Sequence, residues 1–190
     1  PMTVATETEL VGTFAAPDDT NSVEFHSAAY FLRYADNMKV VRTTDANAKN
    51  AYDADSAGAA PAVGNQTDWD AQESTLATAK HTFVAKYPGA LGTGLTISVC
   101  PADETTFNGW AYKSDFDTFP GTSTQATAAS ATNDEVHVAV VDVNGNFGPN
   151  GGVLETFPHV SLATNAKTPD GSTNYILNVV NAGSAYVWMA

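Results

Sequence analysis

The residues of this 190-residue chain best able to bind a metal or act as nucleophiles are four histidines and one cysteine. The histidines lie far apart, with no H-E-x-x-H motif and no close cysteine: His26, His81, His137 and His159. We therefore interpret them as ordinary surface or helix-face histidines. Cys100 is the single cysteine, which excludes an internal disulfide and an all-cysteine metal site and is typical of a chain that folds in a reducing cytoplasm.

A second candidate is the segment Asp142-x-Asn144-x-Asn146, which begins like a calcium-binding loop. Its sixth position is Phe147, where such loops need glycine, and its twelfth is Val153, where they need glutamate. An Asn-Gly hairpin turn at 144–145 is therefore the favoured interpretation. The glycines of residues 89–94 do not form G-x-G-x-x-G, and no G-K-[ST] follows, so a phosphate-binding loop is not predicted.

Acidic and aromatic side chains are the last candidates for chemistry. Three carboxylate pairs have the composition that general acid–base catalysis needs, but their polar surroundings are more typical of solvated turns and caps: Asp18/Asp19, Asp115/Asp117 and Asp134/Glu135. Five aromatic residues could form a sugar- or partner-stacking platform, although core packing is the favoured interpretation: Phe107, Trp110, Tyr112, Phe116 and Phe119. We assign no catalytic, cofactor-binding or metal-binding residue, and expect no enzyme and no cofactor.

The composition and net charge of the chain limit the kinds of partner that it can bind. The chain has 21 acidic and 8 basic residues, a formal charge of −13 and a pI of about 4.3. Such a surface repels phosphate, so nucleic-acid binding is not expected, and a solvated acidic surface or a partner with basic patches fits better. With 43% apolar residues and a mean hydropathy of −0.17, the chain is typical of a globular domain. Neither an apolar run of membrane-spanning length nor a secretion signal is present in the sequence.

The elements that would position these residues begin with two helices. Thr6 and Glu9 form a capping box before a predicted helix over 7–14. A longer helix over about 20–35, capped by Asn21 or Thr20, has a broad apolar stripe that we expect to pack on a sheet. One side of the stripe carries Val23, His26, Tyr30 and Tyr34, and the other carries Phe25, Ala28, Ala29 and Leu32. A strand over 38–43 follows, with Val40 and Val41 predicted in a covered position.

The remaining chain reads as strands separated by loops and two helices. Residues 44–67 are polar and small, which predicts a loop without a core of its own, and a helix is predicted over 69–80. Strands are predicted over 83–85, 95–100, 134–143, 153–162 and 185–189, and a helix over 173–181. Residues 101–132 give an aromatic patch anchored on the core and then a flexible tract. We therefore predict an α+β fold with a mixed β-sheet, two or three packed helices and long loops.

Three segments together resemble one family. YPGALGTGLTISV, within Phe83 to Cys100, is similar to the "YPG-x-x-G-x-x-L-x-V-x-V" segment of tail sheath proteins from contractile-tailed bacteriophages (myoviruses). The stretch Leu10 to Asp45 resembles the loop, helix and "VVR" strand of the same family, and Asn174 to Ala190 resembles its "N-Y" helix and "S-x-Y-v" strand. The three segments occur in the family's order, which makes the resemblance more specific than any one of them.

The resemblance implies a structural protein of the phage virion. Sheath subunits assemble in the host cytoplasm as homo-oligomeric rings around the tail tube, and contract when the baseplate triggers them, driving the tube through the host envelope. The resemblance also implies that residues 1–190 are a single middle, outward-facing domain without the family's N-terminal arm and C-terminal domain. In this domain residues 44–68 would form a loop in place of the family's inserted outer domain. The implied partners are neighbouring sheath subunits, tube and baseplate, without nucleic acid or membrane insertion. The alternatives are a non-phage contractile injection system or a carbohydrate-binding or hydrolase domain.

Overall fold

The computed structural model describes residues 2–45, 47–53, 59–78 and 82–190. Its strands are β1 (Met2–Val4), β2 (Met38–Val40), β3 (Asn50–Tyr52), β4 (Phe83–Pro88), β5 (Leu95–Pro101), β6 (Glu135–Asp142), β7 (Gly152–Ser161) and β8 (Val187–Met189). Its α-helices are α1 (Glu7–Phe14), α2 (Ser22–Phe31), α3 (Gln66–Thr78), α4 (Glu104–Gly109), α5 (Thr124–Ala128) and α6 (Ile176–Gly183). The predicted α+β class is confirmed, but the strands form three small antiparallel sheets, β1-β2, β3-β4-β8 and β5-β6-β7, in place of the one mixed sheet that was predicted.

The largest core lies on the β5-β6-β7 sheet. Strand β6 is central and buried along almost its whole length, because one face packs on α6 and the other on the aromatic region. On the first face β6 contributes Val136, Val138 and Val140, which pack with Ile176 and Val180 of α6. The predicted C-terminal helix is therefore confirmed in place and in its packing on a sheet. The predicted hairpin of β6 and β7 is confirmed, because the two strands pair antiparallel, although residues 143–151 connect them in place of a tight turn at 144–145; Gly145 adopts a φ of 72° in this connection.

Helix α1 forms where the capping box was predicted. The Thr6 hydroxyl accepts a hydrogen bond from the Glu9 amide at 3.1 Å, and the Glu9 carboxylate accepts one from the Ala5 amide at 2.8 Å. The first bond satisfies an amide that the first helical turn leaves without a partner, and the second ties the residue before the N-cap to the same turn. Asn21 is the N-terminal flanking residue of α2, as predicted, but its side chain accepts from the Asp18 amide instead of capping the helix.

The predicted packing of α2 is wrong for half of its apolar stripe. Ala29 is buried and Phe25, Ala28 and Leu32 are partly buried, whereas the side with Val23, Tyr30 and Tyr34 is exposed. The sheet that strand β2 joins has only two strands of three residues each, so it offers little surface to cover such a stripe. For the same reason Val41, predicted in a covered position, is 66% exposed beyond the end of β2.

The polar segment 44–67 is more structured than predicted. It contains strand β3, which pairs with β4, and it buries Val63 beside Trp69 of α3. Asn50 makes this possible, because its side chain donates to the carbonyls of Val63 and Ala85, both at 2.9 Å, and accepts from the Val63 amide at 2.7 Å. The three hydrogen bonds of one buried side-chain amide thus hold a segment that has few apolar side chains to pack. The last residues of the predicted helix over 69–80 and His81 lie outside the described residues.

The segment 101–132 contains α4 and α5, and the tract predicted to be flexible includes α5. Ser123 caps α5 by accepting from the Ala126 amide at 3.1 Å, and is itself bound to the Asp134 carboxylate. Short helices with few apolar residues depend on such tertiary contacts, which a sequence pattern does not show. None of the helices in the described part of the chain is long and apolar enough to cross a membrane.

Candidate functional site

The three segments that carry the family resemblance meet at one place, which we call the motif junction: Gly12, Arg42, Tyr87, Pro88 and Tyr186. Arg42 follows β2, Tyr87 and Pro88 end β4, and Tyr186 precedes β8. These residues come from all three segments and are separated by up to 174 positions in sequence. Their contact is therefore a product of the tertiary fold.

Arg42 fixes the N-terminal segment to the turn that ends β4. Its guanidinium donates to the Pro88 carbonyl at 2.6 Å and lies 5.5 Å from the centre of the Tyr87 ring. Partial burial lowers the pKa of Arg42 from its ordinary value, with the nearby Tyr87 opposing that change. A cation that binds a carbonyl and an aromatic face together holds the two segments in one orientation.

Tyr186 fixes the C-terminal segment to the other two. Its hydroxyl donates to the Gly12 carbonyl at 2.9 Å, and its own carbonyl accepts from the Lys86 amide at 2.8 Å. The rings of Tyr87, Phe147 and Tyr186 form a cluster with centroid separations of 4.8, 5.1 and 6.1 Å. Burial raises the pKa of Tyr87 to about 12, with Tyr186 adding to the rise. Both phenols are therefore neutral at physiological pH.

The turn after Tyr87 needs its glycines for two different reasons. Gly89 has a φ of 88°, a conformation that other residues rarely adopt. A Cβ at Gly92 would lie 2.8 Å from both the Ala85 Cβ and the Tyr87 carbonyl oxygen. Residues Ala90–Gly94 form a 3-10 helix that leads into β5, an element that the sequence patterns did not predict. The chain therefore approaches itself too closely here for any larger side chain.

The second cluster of polar groups surrounds two histidines that are 22 residues apart in sequence. His137 is fully buried in β6; its Nε2 lies 2.7 Å from the Thr118 carbonyl, and its Nδ1 accepts from the His159 amide at 3.0 Å. Burial lowers the pKa of His137, so it is a neutral core residue with both nitrogens engaged. The interpretation of this residue as a surface histidine is wrong. Its position inside the apolar run of β6 is the signal that indicates burial.

His159 lies at the edge of the same cluster. Its Nδ1 is 3.3 Å from a Glu135 carboxylate oxygen, and its Nε2 is 3.3 Å from the Thr118 hydroxyl. The backbone at His159 has a φ of 50°, in the left-handed region. Glu135 also accepts from the Gly121 amide at 3.0 Å, so its carboxylate is used in holding the loop before α5. His26 is exposed on α2, and no group of three potential metal ligands occurs within the described residues.

The aromatic residues of 107–119 pack mainly on the core. Phe107 and Phe116 are buried, and Phe116 stacks on His137 at 4.4 Å. Trp110 donates from its indole to the Ser98 hydroxyl at 2.8 Å and packs against other rings of the cluster. These contacts confirm the predicted aromatic patch on the core, with Phe119 left 43% exposed.

The acidic candidates do not converge on Trp110. Asp115 and Asp117 are exposed, whereas Asp134 binds the hydroxyls of Ser123 and Ser161. Asp18 and Asp19 lie in the exposed turn before α2. Within the described residues this arrangement gives no carboxylate pair facing the aromatic platform, which disfavours a glycosidase.

The calcium-like segment is a loop held by one carboxylate. Asp142 is fully buried, and its Oδ2 accepts from the amides of Phe147 and Gly148 at 2.6 and 3.1 Å. Its Oδ1 has no hydrogen-bond partner in the described structure. The carboxylate thus ties the β6–β7 connection together. The expectation that the chain has no catalytic, cofactor-binding or metal-binding residue stays a prediction.

Comparison with known proteins supports the family that the motif segments suggested. No family model matches the chain. The chain is 29% identical to the tail sheath protein of Salmonella phage ViI over 160 residues, which is 84% of this chain and 22% of that protein. The chain thus spans about a fifth of the length of the curated relative it matches. The chain is a distant homologue of a phage tail sheath protein.

Proposed function

We propose that the chain forms part of the structural subunit of a contractile phage tail sheath, which polymerises around the tail tube and contracts to drive the tube through the host envelope. The observation that carries this proposal is the similarity to a tail sheath protein along 84% of the chain. Such a subunit acts in the virion tail, has neighbouring sheath subunits as partners and carries out no catalysis. In that role, the work of contraction comes from a difference in subunit packing between two assembled states.

The motif junction supports a structural role. Its polar side chains bind backbone carbonyls or aromatic rings, and its effect is to hold three distant segments in a fixed arrangement. A force-transmitting subunit needs that rigidity, because a domain that deforms would absorb the movement of its neighbours. We further propose that residues 1–190 are one middle domain of a longer subunit, with 44–68 replacing an inserted outer domain. The 22% coverage of the relative is compatible with that placement.

The test is to produce the protein from its complete gene, with and without a tail tube protein from the same genome, and to image both preparations by negative-stain electron microscopy. We expect tubes or stacked rings of tail width in the presence of the tube. Uniform small particles in both preparations would contradict the sheath function. Intact particles purified from the source then separate a phage from a non-phage injection system, because only a phage tail carries an attached capsid.

A further inference from the structure

Three asparagines of this chain are each followed directly by glycine, in the pairs Asn108-Gly109, Asn144-Gly145 and Asn150-Gly151. Such a pair is open to self-modification, because glycine has no side chain to shield its backbone nitrogen from the asparagine side chain. All three asparagines are exposed. The sequence therefore gives no reason to separate them, and any difference in their reactivity comes from the fold.

The reaction is the closure of an asparagine side chain on the next residue. The glycine nitrogen attacks the side-chain carbon Cγ, a bond forms between these two atoms, and the bond from Cγ to Nδ2 breaks. Nδ2 leaves as ammonia with the proton that the glycine nitrogen gives up, and a cyclic imide, a succinimide, remains. The nitrogen reacts only after any hydrogen bond that holds its N–H has been broken, and the side chain must be free to place Cγ against it.

The fold opposes this closure at Asn150. The Gly151 amide donates to the Asp142 carbonyl at 2.7 Å, so its nitrogen is already engaged. Asp142 is fully buried, and its carboxylate accepts from the amides of Phe147 and Gly148 in the same connection between β6 and β7. Releasing Gly151 would therefore disturb a connection that one buried residue holds at three points.

The fold also opposes closure at Asn108. Asn108 and Gly109 are the last two residues of α4. In an α-helix the amide of such a residue donates to the carbonyl four residues before it, which directs the N–H along the helix axis. The buried Phe107 anchors this turn of α4 on the core. The Gly109 nitrogen is thus held in helical geometry.

The Asn144-Gly145 pair has neither protection. Within the described residues, the Gly145 amide donates no hydrogen bond and the Asn144 side chain makes none. The pair lies in the irregular connection 143–151. The Asn144 side chain lies against Gly94, because a Cβ on that glycine would be 3.0 Å from its Nδ2 and 3.1 Å from its Cβ. Since Gly94 carries no side chain, the exposed Asn144 amide has space to turn towards the Gly145 nitrogen.

We propose that Asn144-Gly145 is a site of spontaneous succinimide formation and deamidation, in preference to the other two pairs. Water then opens the imide in one of two ways. Breaking the bond from the Gly145 nitrogen to Cγ leaves an aspartate, whereas breaking the bond to the backbone carbonyl carbon leaves an isoaspartate, whose main chain runs through the former side chain. Either product adds one negative charge to a chain of net charge −13.

The isoaspartate product changes the connection between β6 and β7. It lengthens the backbone by one carbon atom between Asp142 and the Phe147 and Gly148 amides that the Asp142 carboxylate binds at 2.6 and 3.1 Å. The reaction uses the chain's own residues and water alone. It therefore does not depend on the proposed sheath function, and its test does not bear on that function.

The test incubates the complete folded protein in mildly alkaline buffer made with ¹⁸O-labelled water, and follows the three asparagines by peptide mass spectrometry. The label separates deamidation during incubation from deamidation during digestion. We expect Asn144 to react at least about tenfold faster than Asn108 and Asn150, as the cost of breaking one hydrogen bond implies. In guanidinium chloride the three rates should become similar, because the unfolded chain protects none of the pairs.

The variants Asn144→Gln and Asn150→Gln are matched, because glutamine keeps the amide but closes on the next nitrogen far more slowly. Native isoelectric focusing should show an acidic form that accumulates in wild type and Asn150→Gln but not in Asn144→Gln, with thermal unfolding confirming that each variant folds. The proposal is overturned if Asn108 or Asn150 reacts as fast as Asn144 in the folded protein. It is also overturned if folding slows Asn144 as much as the other two, or if its product contains no isoaspartate. These last readouts need only the wild-type protein.

Discussion

Single buried or half-buried polar residues hold the less apolar parts of this fold together. Asn50 is 2% exposed, and its side chain makes three hydrogen bonds that hold the segment before α3, which has few hydrophobic contacts. Arg42 and Tyr186 do the same at the motif junction, each by binding a distant backbone carbonyl. Such residues are sensitive positions, because removing one partner leaves buried polar groups without hydrogen bonds.

Replacing Asn50 with alanine should lower the free energy of unfolding by about 2–5 kcal/mol, because three buried hydrogen bonds are lost at once. Urea denaturation followed by tryptophan fluorescence measures this, since Trp69 and Trp188 lie in the adjacent core. Asn47→Ala is the control, because Asn47 is exposed in the same segment. Equal stability of the two variants would show that Asn50 does not anchor the segment.

The pKa of Tyr87 predicts a loss of stability in alkali. Its folded-state pKa of about 12 lies above the ordinary tyrosine value, so the folded state retains a proton that the unfolded chain loses. The contribution is complete below about pH 10 and disappears as the pH rises to about 12, a change of up to roughly 2–3 kcal/mol. Tyr87→Phe should therefore flatten the fall in stability over this range. An unchanged pH profile of unfolding would contradict the burial of this phenol.

Among the elements, the turn between β4 and β5 is constrained by contact as well as by backbone angle. Gly92 packs against Ala85 and the Tyr87 carbonyl, whereas a Cβ at Gly109, at the end of α4, would have nothing within 4 Å. Gly92→Ala should destabilise the protein by about 1–3 kcal/mol through overpacking. Gly109→Ala should be neutral or stabilising by up to about 1 kcal/mol. Melting temperatures of the two variants in the opposite order would refute this account.

The helices differ in how their stability arises. α1 begins at a capping box that the sequence shows, whereas α2 leaves one apolar side exposed and α5 depends on the contact of Ser123 with Asp134. Local signals therefore predict where α1 and α2 begin. They do not predict which side of α2 is covered, because that depends on the surfaces that the folded chain brings next to it.

At the scale of the whole molecule, net charge opposes association of the chain by itself. We expect the 190 residues alone to be monomeric or weakly associating, because copies that each carry a charge of −13 repel one another. Sedimentation velocity over a range of concentrations measures this. A stable hexamer would contradict the prediction.

The sequence by itself determined the α+β class, the capping box of α1, the N-terminal boundary of α2, the hairpin of β6 and β7, and the likeness to tail sheath proteins. These follow from periodicity, caps, turn residues and motif order, all of which act over short stretches of chain. Only the tertiary structure decided that Arg42, Tyr87 and Tyr186 meet, that His137 is buried beside His159, and that Tyr30 and Tyr34 stay exposed. The reason is physical: burial and long-range hydrogen bonds depend on which surfaces the folded chain brings together, and no local pattern contains that information.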